Sequence, residues 1–274
     1  LAATVLANSP LTLRNIPHIG DIHTMIKILK GLGMDITNNP DGSLHLDPHG
    51  LSDQEPDQSL CAAIRASFLL AGPLLARRGH LTLPRPGGDR IGRRRVDTHV
   101  LALEKLGADV VVGNSYHLTA PDGLRGAEIF LDEASVMATE NALMAAAAAE
   151  GDSVIYNAAC EPHVQGLCHM LNAMGAEITG VGSNILRIKS NSKLTGCEHR
   201  IMSDHIEIGS FIGLAAVTGG EIHIHGVEPE NLRMILMTFS RLGVETRVEG
   251  TTLIVPPHQK MKVQCDIGGA IPHM

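Results

Sequence analysis

Residues 84–99 read PRPGGDRIGRRRVDTH, with five arginines inside eleven residues in a chain whose formal net charge is −7. Guanidinium groups offer planar donor forks that match the oxygens of phosphate or carboxylate two at a time. The Gly-Gly pair supplies backbone freedom. The segment runs into RVDTHVLALEKLGA, a predicted helix whose N-terminal amides also favour anions. Residue types and spacing point to an anion-binding loop for a phosphorylated small molecule; a solvated charge run is the alternative. The equivalent loops elsewhere, NIPHIGD, NAACEPH and GVEPEN, are short and nearly neutral.

Other chemistries find less support. Of fifteen histidines, only His223 and His225 share a strand face at i, i+2, and no carboxylate or cysteine motif frames them. They read as surface histidines, and no metal is expected. No P-loop or dinucleotide fingerprint is present. The five cysteines, Cys61, Cys160, Cys168, Cys197 and Cys265, are odd in number and lack a CxxC, which predicts reduced thiols in a cytosolic protein. No apolar run approaches the roughly 18 residues of a membrane span. The acidic balance, without aromatics interleaved among the arginines, argues against a nucleic-acid binder.

The elements that must position the loop repeat along the chain. Four segments share a β-like run, a Pro/Gly loop, an amphipathic helix ending in Leu-Gly or Met-Gly, and two short strands. Their helix-ending glycines, Gly33, Gly107, Gly175 and Gly243, are spaced 74, 68 and 68 residues apart. Between repeats lie helices of small and apolar residues: LCAAIRASFLLAGPLLARRG, SVMATENALMAAAAAEG and HIEIGSFIGLAAVTGG. Each is predicted to end in glycine, and a helix apolar nearly all round is expected to be buried. The unit is βαβαββ, or β-α-β-β followed by α. Three units make one compact domain, so a boundary is expected near residue 202. Aromatics are 2% of residues and tryptophan is absent, so the core must be built from Leu, Ile, Val, Met and Ala. The opening LAATVLANSPLTL and the closing DIGGAIPHM suggest a helix entered partway and a chain that stops on turn residues, as in a fragment.

PGGDRIGRRRVDTHVLALEKLGA resembles the loop of the UDP-N-acetylglucosamine enolpyruvyl transferases, whose pattern is Pro-Gly-Gly-Cys-x-Ile-Gly-x-Arg-Pro-Val-Asp-x-His. IRASFLLAGPLLAR, NAACEPH and SDHIEIGSF have counterparts there too. The resemblance implies an α/β (α+β) fold, an inside-out α/β barrel of repeated βαβαββ units. Residues 1–202 would be a complete three-unit domain carrying the catalytic loop, and 203–274 part of a second. It implies transfer of the enolpyruvyl group of phosphoenolpyruvate to the 3′-hydroxyl of UDP-N-acetylglucosamine, in bacterial cytoplasmic cell-wall synthesis. No cofactor, metal, nucleic acid or membrane is implied, and oligomeric state is left open.

By the same resemblance, Asp89 takes the place of the loop cysteine and would act as general acid or assist product release. A carboxylic acid needs a raised pKa for proton donation, whereas neighbouring arginines lower it. Aspartate in that place implies insensitivity to epoxides that alkylate the thiol. Arg94 and Arg65 would steady phosphate and carboxylate charge. Arg95, Val96, Asp97 and Thr98 fall in the segment lining the uridine pocket, with His99 a structural neighbour. Ser135 and Val136 fall where the diphosphate is held, and Glu161 and Asp204 at acidic positions near the interdomain cleft; Asp204 is equally readable as a helix N-cap. Three positions depart from the family: Arg95 for proline, Glu133 for lysine and Met137 for glycine. The family's Lys-Asn pair would precede Leu1, and its sugar-deprotonating aspartate would follow Met274. The alternatives are a 5-enolpyruvylshikimate-3-phosphate synthase-like transferase, a non-catalytic UDP-sugar-binding relic, and an RNA-contacting module.

Overall fold

The computed structural model describes residues 1–88, 95–190 and 193–262. Asp89 and Arg94 lie outside the described residues. The chain divides into two compact units, Leu1–Ile201 and Met202 onward. Each has its own apolar cluster.

After a buried 3₁₀ turn, Ala2–Leu6, the first unit contains β1 (Leu11–Arg14), α1 (Gly20–Gly31), β2 (Asp35–Asn38), β3 (Leu44–Asp47) and α2 (Gln58–Ala63). A 3₁₀ turn, Arg65–Leu70, then leads to α3 (Ala71–Arg78). The next repeat supplies β4 (His80–Pro84), α4 (Asp97–Lys105), β5 (Asp109–Val112), β6 (Ser115–Thr119), β7 (Glu128–Phe130) and α5 (Val136–Ala148). The third supplies β8 (Ser153–Tyr156), α6 (Pro162–Ala173), β9 (Glu177–Thr179), β10 (Ile185–Lys189) and β11 (Glu198–Arg200). The second unit holds α7 (His205–Thr218), β12 (Ile222–His225), α8 (Arg233–Arg241), β13 (Arg247–Glu249) and β14 (Thr252–Val255).

The sheets of the first unit are stitched together by strands lent from one repeat to another. The orders are β11-β1-β3-β2, β4-β6-β5 and β7-β8-β10-β9. β11, at the end of the third repeat, pairs parallel with β1, Thr12 opposite Glu198. β7, from the second, pairs parallel with β8, Ile129 opposite Ile155. At the open edge of β4, side chains replace a strand: Thr82 N–H donates to Glu55 Oε2 at 2.9 Å, and Gln58 Nε2 donates to the Thr82 carbonyl at 3.2 Å. The two ends of the repeat series therefore meet in one sheet. This agrees with a fold of repeated α/β units around inward-facing helices.

The spaced glycines are the signature of the repeat, and one hydrogen-bond pattern accounts for all four. Gly33, Gly107, Gly175 and Gly243 have φ of +98°, +96°, +107° and +77°. Each glycine N–H bonds the carbonyl three residues back, and the next N–H reaches five back, as in Ala108 to Leu103 and Val244 to Phe239. This is the Schellman arrangement, which satisfies carbonyls left over at a helix end.

The inter-repeat helices depart from expectation in three ways. The segment 60–79 is not one helix: Ile64 is extended (φ −126°, ψ 144°) between α2 and the 3₁₀ turn. There the Ser67 hydroxyl donates to the carbonyls of Cys61 and Ile64. Restarting at Ala71 also places Pro73 in the first turn of α3, where its missing N–H removes no helical bond. Second, α5 ends at Ala148, before an extended Ala149, with Gly151 (φ +92°) further on. Third, α5 is buried along its length, but α7 is not. Ile208, Ile212, Ala215 and Ala216 are buried, whereas Ile206, Leu214 and Val217 are 62%, 51% and 71% exposed. α5 is packed by α3, α4 and α6. Among the described residues, α7 has the sheet β12-β14-β13 and α8, which covers only one side.

Candidate functional site

Arg65 stands directly after the break at Ile64, and that break turns it out of the helical line of α2. Its Nη2 donates to the Arg95 carbonyl at 2.7 Å. Gly87 lies so close to the same segment that a Cβ there would sit 1.8 Å from the Ala62 carbonyl oxygen; one on Gly88 would be 3.4 Å from Arg65 Cβ. The described residues on either side of 89–94 thus both rest against Ala62–Arg65.

The Arg95 side chain, where the resembled pattern has proline, joins two acidic partners. Its Nε bonds Asp97 Oδ2 at 2.9 Å and its Nη2 bonds Asp132 Oδ2 at 3.1 Å. The second oxygen of Asp132 accepts from Thr98 Oγ1 at 2.6 Å. These contacts, led by the Thr98 hydroxyl, hold the Asp132 carboxyl below its ordinary range. Exposed ion pairs of this kind contribute only about 0.2–1 kcal/mol each, so their importance is geometric. They tie the start of α4 to the strand exit that leads into α5. Val96 and Thr98 are buried, and Asp97 and Arg95 are exposed.

Ser135 caps α5: its Oγ accepts from Ala138 N–H at 3.4 Å, and its carbonyl accepts from the Thr139 hydroxyl at 2.8 Å. Val136 is the first residue of the helix. The N-termini of α4 and α5 therefore meet around Asp132, each with amides able to face an anion. Glu133 and Met137, the two other departures, flank Ser135. Glu161 is exposed at the start of α6, and the loop before it is joined to α5 through Ala159 N–H and Thr139 Oγ1 at 3.0 Å. Asp204 lies in the second unit as the N-cap of α7, accepting from Ile206 and Glu207 N–H at 2.8 and 3.2 Å. Thus Arg65, Arg95, Val96, Asp97, Thr98, Ser135 and Val136 are brought together on the first unit.

Three residues of this region were not singled out from the sequence. Asp132 joins the elements above. Glu140, on α5, is pushed up to about 7 by burial, opposed by the Leu1 amino group and reinforced by Glu161. Asn141 is wholly buried; a polar side chain inside ENALMAAAAA was its available signal. His99, 2% exposed, is lowered to about 4 by burial and then by the positive charge of Arg65. Among the described residues no three His, Cys, Asp or Glu side chains come together as a metal site, and no helix is long and apolar enough to cross a membrane. His223 and His225 bond Glu221 and Thr252 separately, at 2.8 and 3.1 Å.

A family model described as EPSP synthase (3-phosphoshikimate 1-carboxyvinyltransferase) matches residues 1–273. The UDP-N-acetylglucosamine 1-carboxyvinyltransferase of Treponema denticola is 53% identical over 99% of this chain, covering 64% of its own length. That of Bradyrhizobium diazoefficiens is 49% identical over all of this chain and 63% of its own. The chain therefore spans a little under two thirds of the curated relatives it matches. Among solved structures, the enolpyruvyl transferase NikO of Streptomyces tendae superposes with a TM-score of 0.82 at 20% identity, over 95% of this chain and 63% of that one. An EPSP synthase of Acinetobacter baumannii gives 0.67 at 20%, over 93% and 60%. These two likenesses establish the enolpyruvyl transferase fold.

Proposed function

The chain belongs to the EPSP synthase family of carboxyvinyl transferases, and on that premise we propose that it serves the transfer of an enolpyruvyl group from phosphoenolpyruvate to the 3′-hydroxyl of UDP-N-acetylglucosamine. The observation that carries this reading is the identity of 53% and 49% to transferases of that name across essentially the whole chain. The sequence PGGDRIGRRRVDTH supports it, as do the described residues that flank 89–94, Gly87 and Arg95, which lie against Ala62–Arg65.

In this reading the sugar hydroxyl gives up its proton to a base as its oxygen adds to C2 of phosphoenolpyruvate, while C3 takes a proton from a general acid and becomes a methyl group. Loss of a proton from C3 and departure of phosphate from C2 then restore the vinyl group. Charge sits on phosphate and carboxylate throughout, and fixed guanidinium groups suit it because they need no reorganisation as the reaction proceeds. Arg65 and Arg94 take that part, Arg65 being held on the Arg95 carbonyl. Asp89 handles the C3 proton or aids release. Val96, Asp97, Thr98 and the Arg95 backbone line the uridine, and Ser135 and Val136 present the α5 N-terminus to the diphosphate. Glu161 and Asp204 contribute acidic groups. Glu133 removes a positive charge from the diphosphate region, and the Arg95 guanidinium is ion-paired with Asp132. The setting is bacterial peptidoglycan synthesis in the cytoplasm.

Calorimetric titration separates this from the shikimate reading. Saturable binding of UDP-N-acetylglucosamine, with none of shikimate 3-phosphate, is expected. The reverse preference would replace the proposal with the shikimate-type enzyme.

A further inference from the structure

Asn141 lies on α5 at 0% exposure, and its amide touches three other groups. Oδ1 accepts from Gly72 N–H at 2.9 Å. Nδ2 donates to the Phe68 carbonyl at 2.7 Å and lies 2.9 Å from His99 Nδ1. The two backbone contacts settle which end of the amide is which, since a carbonyl only accepts and a peptide N–H only donates. One Nδ2 proton is taken by Phe68, so the other is offered to the ring nitrogen. His99 Nδ1 must then carry a lone pair, its proton must sit on Nε2, and the ring must be neutral. The backbone at the Phe68–Gly72 junction thus dictates the tautomer of a side chain on α4.

The partners are not scattered. Phe68 belongs to the 3₁₀ turn that begins with Arg65. Gly72 lies in the first turn of α3, where its N–H has no helical acceptor. His99 follows Val96–Thr98 at the start of α4. Phe68 also packs edge-on against the His99 ring, with centroids 5.1 Å apart at 88°. Among the described residues, the charge that bears on the ring is that of Arg65; Asn141 and Phe68 are neutral. An imidazolium would lose the Asn141 bond and place a second cation by Arg65.

We propose that Asn141 is a positioning residue for the segment Val96–Thr98: by holding His99 as the neutral Nε2-protonated ring, it locks the first turn of α4 to the turn that carries Arg65. The role in nucleotide binding rests on the functional reading above; the tautomer does not.

The test begins with the unmodified chain, ¹⁵N-labelled at histidine, with His99 assigned by its loss in His99→Gln. Two-bond nitrogen–proton correlation should show Nδ1 bare and Nε2 protonated, unchanged from neutral pH to about pH 5. In Asn141→Asp the carboxylate can only accept, so His99 should carry a proton on Nδ1 at pH 7. Asn141→Leu, which keeps the branched shape and drops both functions, should weaken UDP-N-acetylglucosamine binding on the order of tenfold to a hundredfold through misplacement of the segment. An Nδ1-protonated ring, a titration near the ordinary histidine value in the parent chain, or an unaltered ring in Asn141→Asp would each overturn the proposal. So would wild-type affinity in Asn141→Leu. If Asn141→Leu does not fold, the parent and Asn141→Asp spectra still decide the tautomer. The expected ring in a parent chain that binds no UDP-sugar would instead sink the functional reading, and the nucleotide role with it.

Discussion

Replacing Gly87 by alanine tests whether the base of the arginine loop is held where the site needs it. The new Cβ would lie 1.8 Å from the Ala62 carbonyl oxygen, 2.8 Å from its carbon and 3.2 Å from the Ala63 carbon. All three are backbone atoms, so no side chain can swing aside. Restoring the 3.4 Å lower edge of ordinary contact requires one backbone to move by about 1.6 Å, and overpacking of this kind costs about 1–3 kcal/mol. Ala62 and Ala63 lead through Ile64 to Arg65, so the displacement passes to the guanidinium that holds Arg95. A misplacement of about 1 Å is worth roughly a hundredfold in rate. Urea denaturation should therefore show a loss of about 1–3 kcal/mol, and UDP-N-acetylglucosamine affinity should fall with it. Gly113→Ala is the control, since its Cβ would meet nothing nearer than 3.9 Å; it should stay within about 0.5 kcal/mol of the parent. Parent-like stability and affinity in Gly87→Ala would show that the close approach to Ala62 does not constrain the loop.

Glu140→Gln should stabilise the chain at high pH only. The folded-state pKa is raised to about 7 from 4.5, so the folded chain holds a proton that the unfolded chain releases as pH rises through 4.5. Stability is then lost up to about pH 7, and the glutamine variant should gain roughly 1–3 kcal/mol over the parent at pH 8 and nothing below about pH 4.5, read from denaturation midpoints. Incubation with an alkylating epoxide of the fosfomycin type should leave the intact mass unchanged, whereas Asp89→Cys should gain one adduct, because a thiolate opens the ring far better than a carboxylate; an adduct on Asp89 itself would overturn this. Glutamates at Ile206 and Val217, on the exposed face of α7, should reduce concentration-dependent self-association in sedimentation velocity; unchanged sedimentation would mean that face is not adhesive.

The repeat was legible because one backbone requirement, a left-handed residue at each amphipathic helix end, recurs as glycine at 33, 107, 175 and 243. Strand lending was not legible: EIF at β7 and EHR at β11 are too short for periodicity to assign a partner, and pairing depends on where the helices carry them. The interruption at Ile64 escaped because the contacts seen there, the Ser67 hydroxyl on the Cys61 and Ile64 carbonyls, leave no periodic signal in the sequence. Around the site, Arg94, Asp97 and Thr98 are expected from the resemblance of the loop to the family pattern, and Arg65, Ser135 and Val136 from the resemblance of the segments that hold them. Asp132 and Asn141 act through atoms that meet only after α4 and α5 are packed, so neither is singled out by the sequence.

The most direct test is release of inorganic phosphate from phosphoenolpyruvate, with and without UDP-N-acetylglucosamine, by this chain and by a version extended to the length of its curated relatives. Release that depends on UDP-N-acetylglucosamine in the extended protein, and falls in Arg65→Ala, is the predicted result. The absence of release from the extended protein, with UDP-sugar still bound, would contradict the transferase reading and leave a sugar-nucleotide-binding relic in its place.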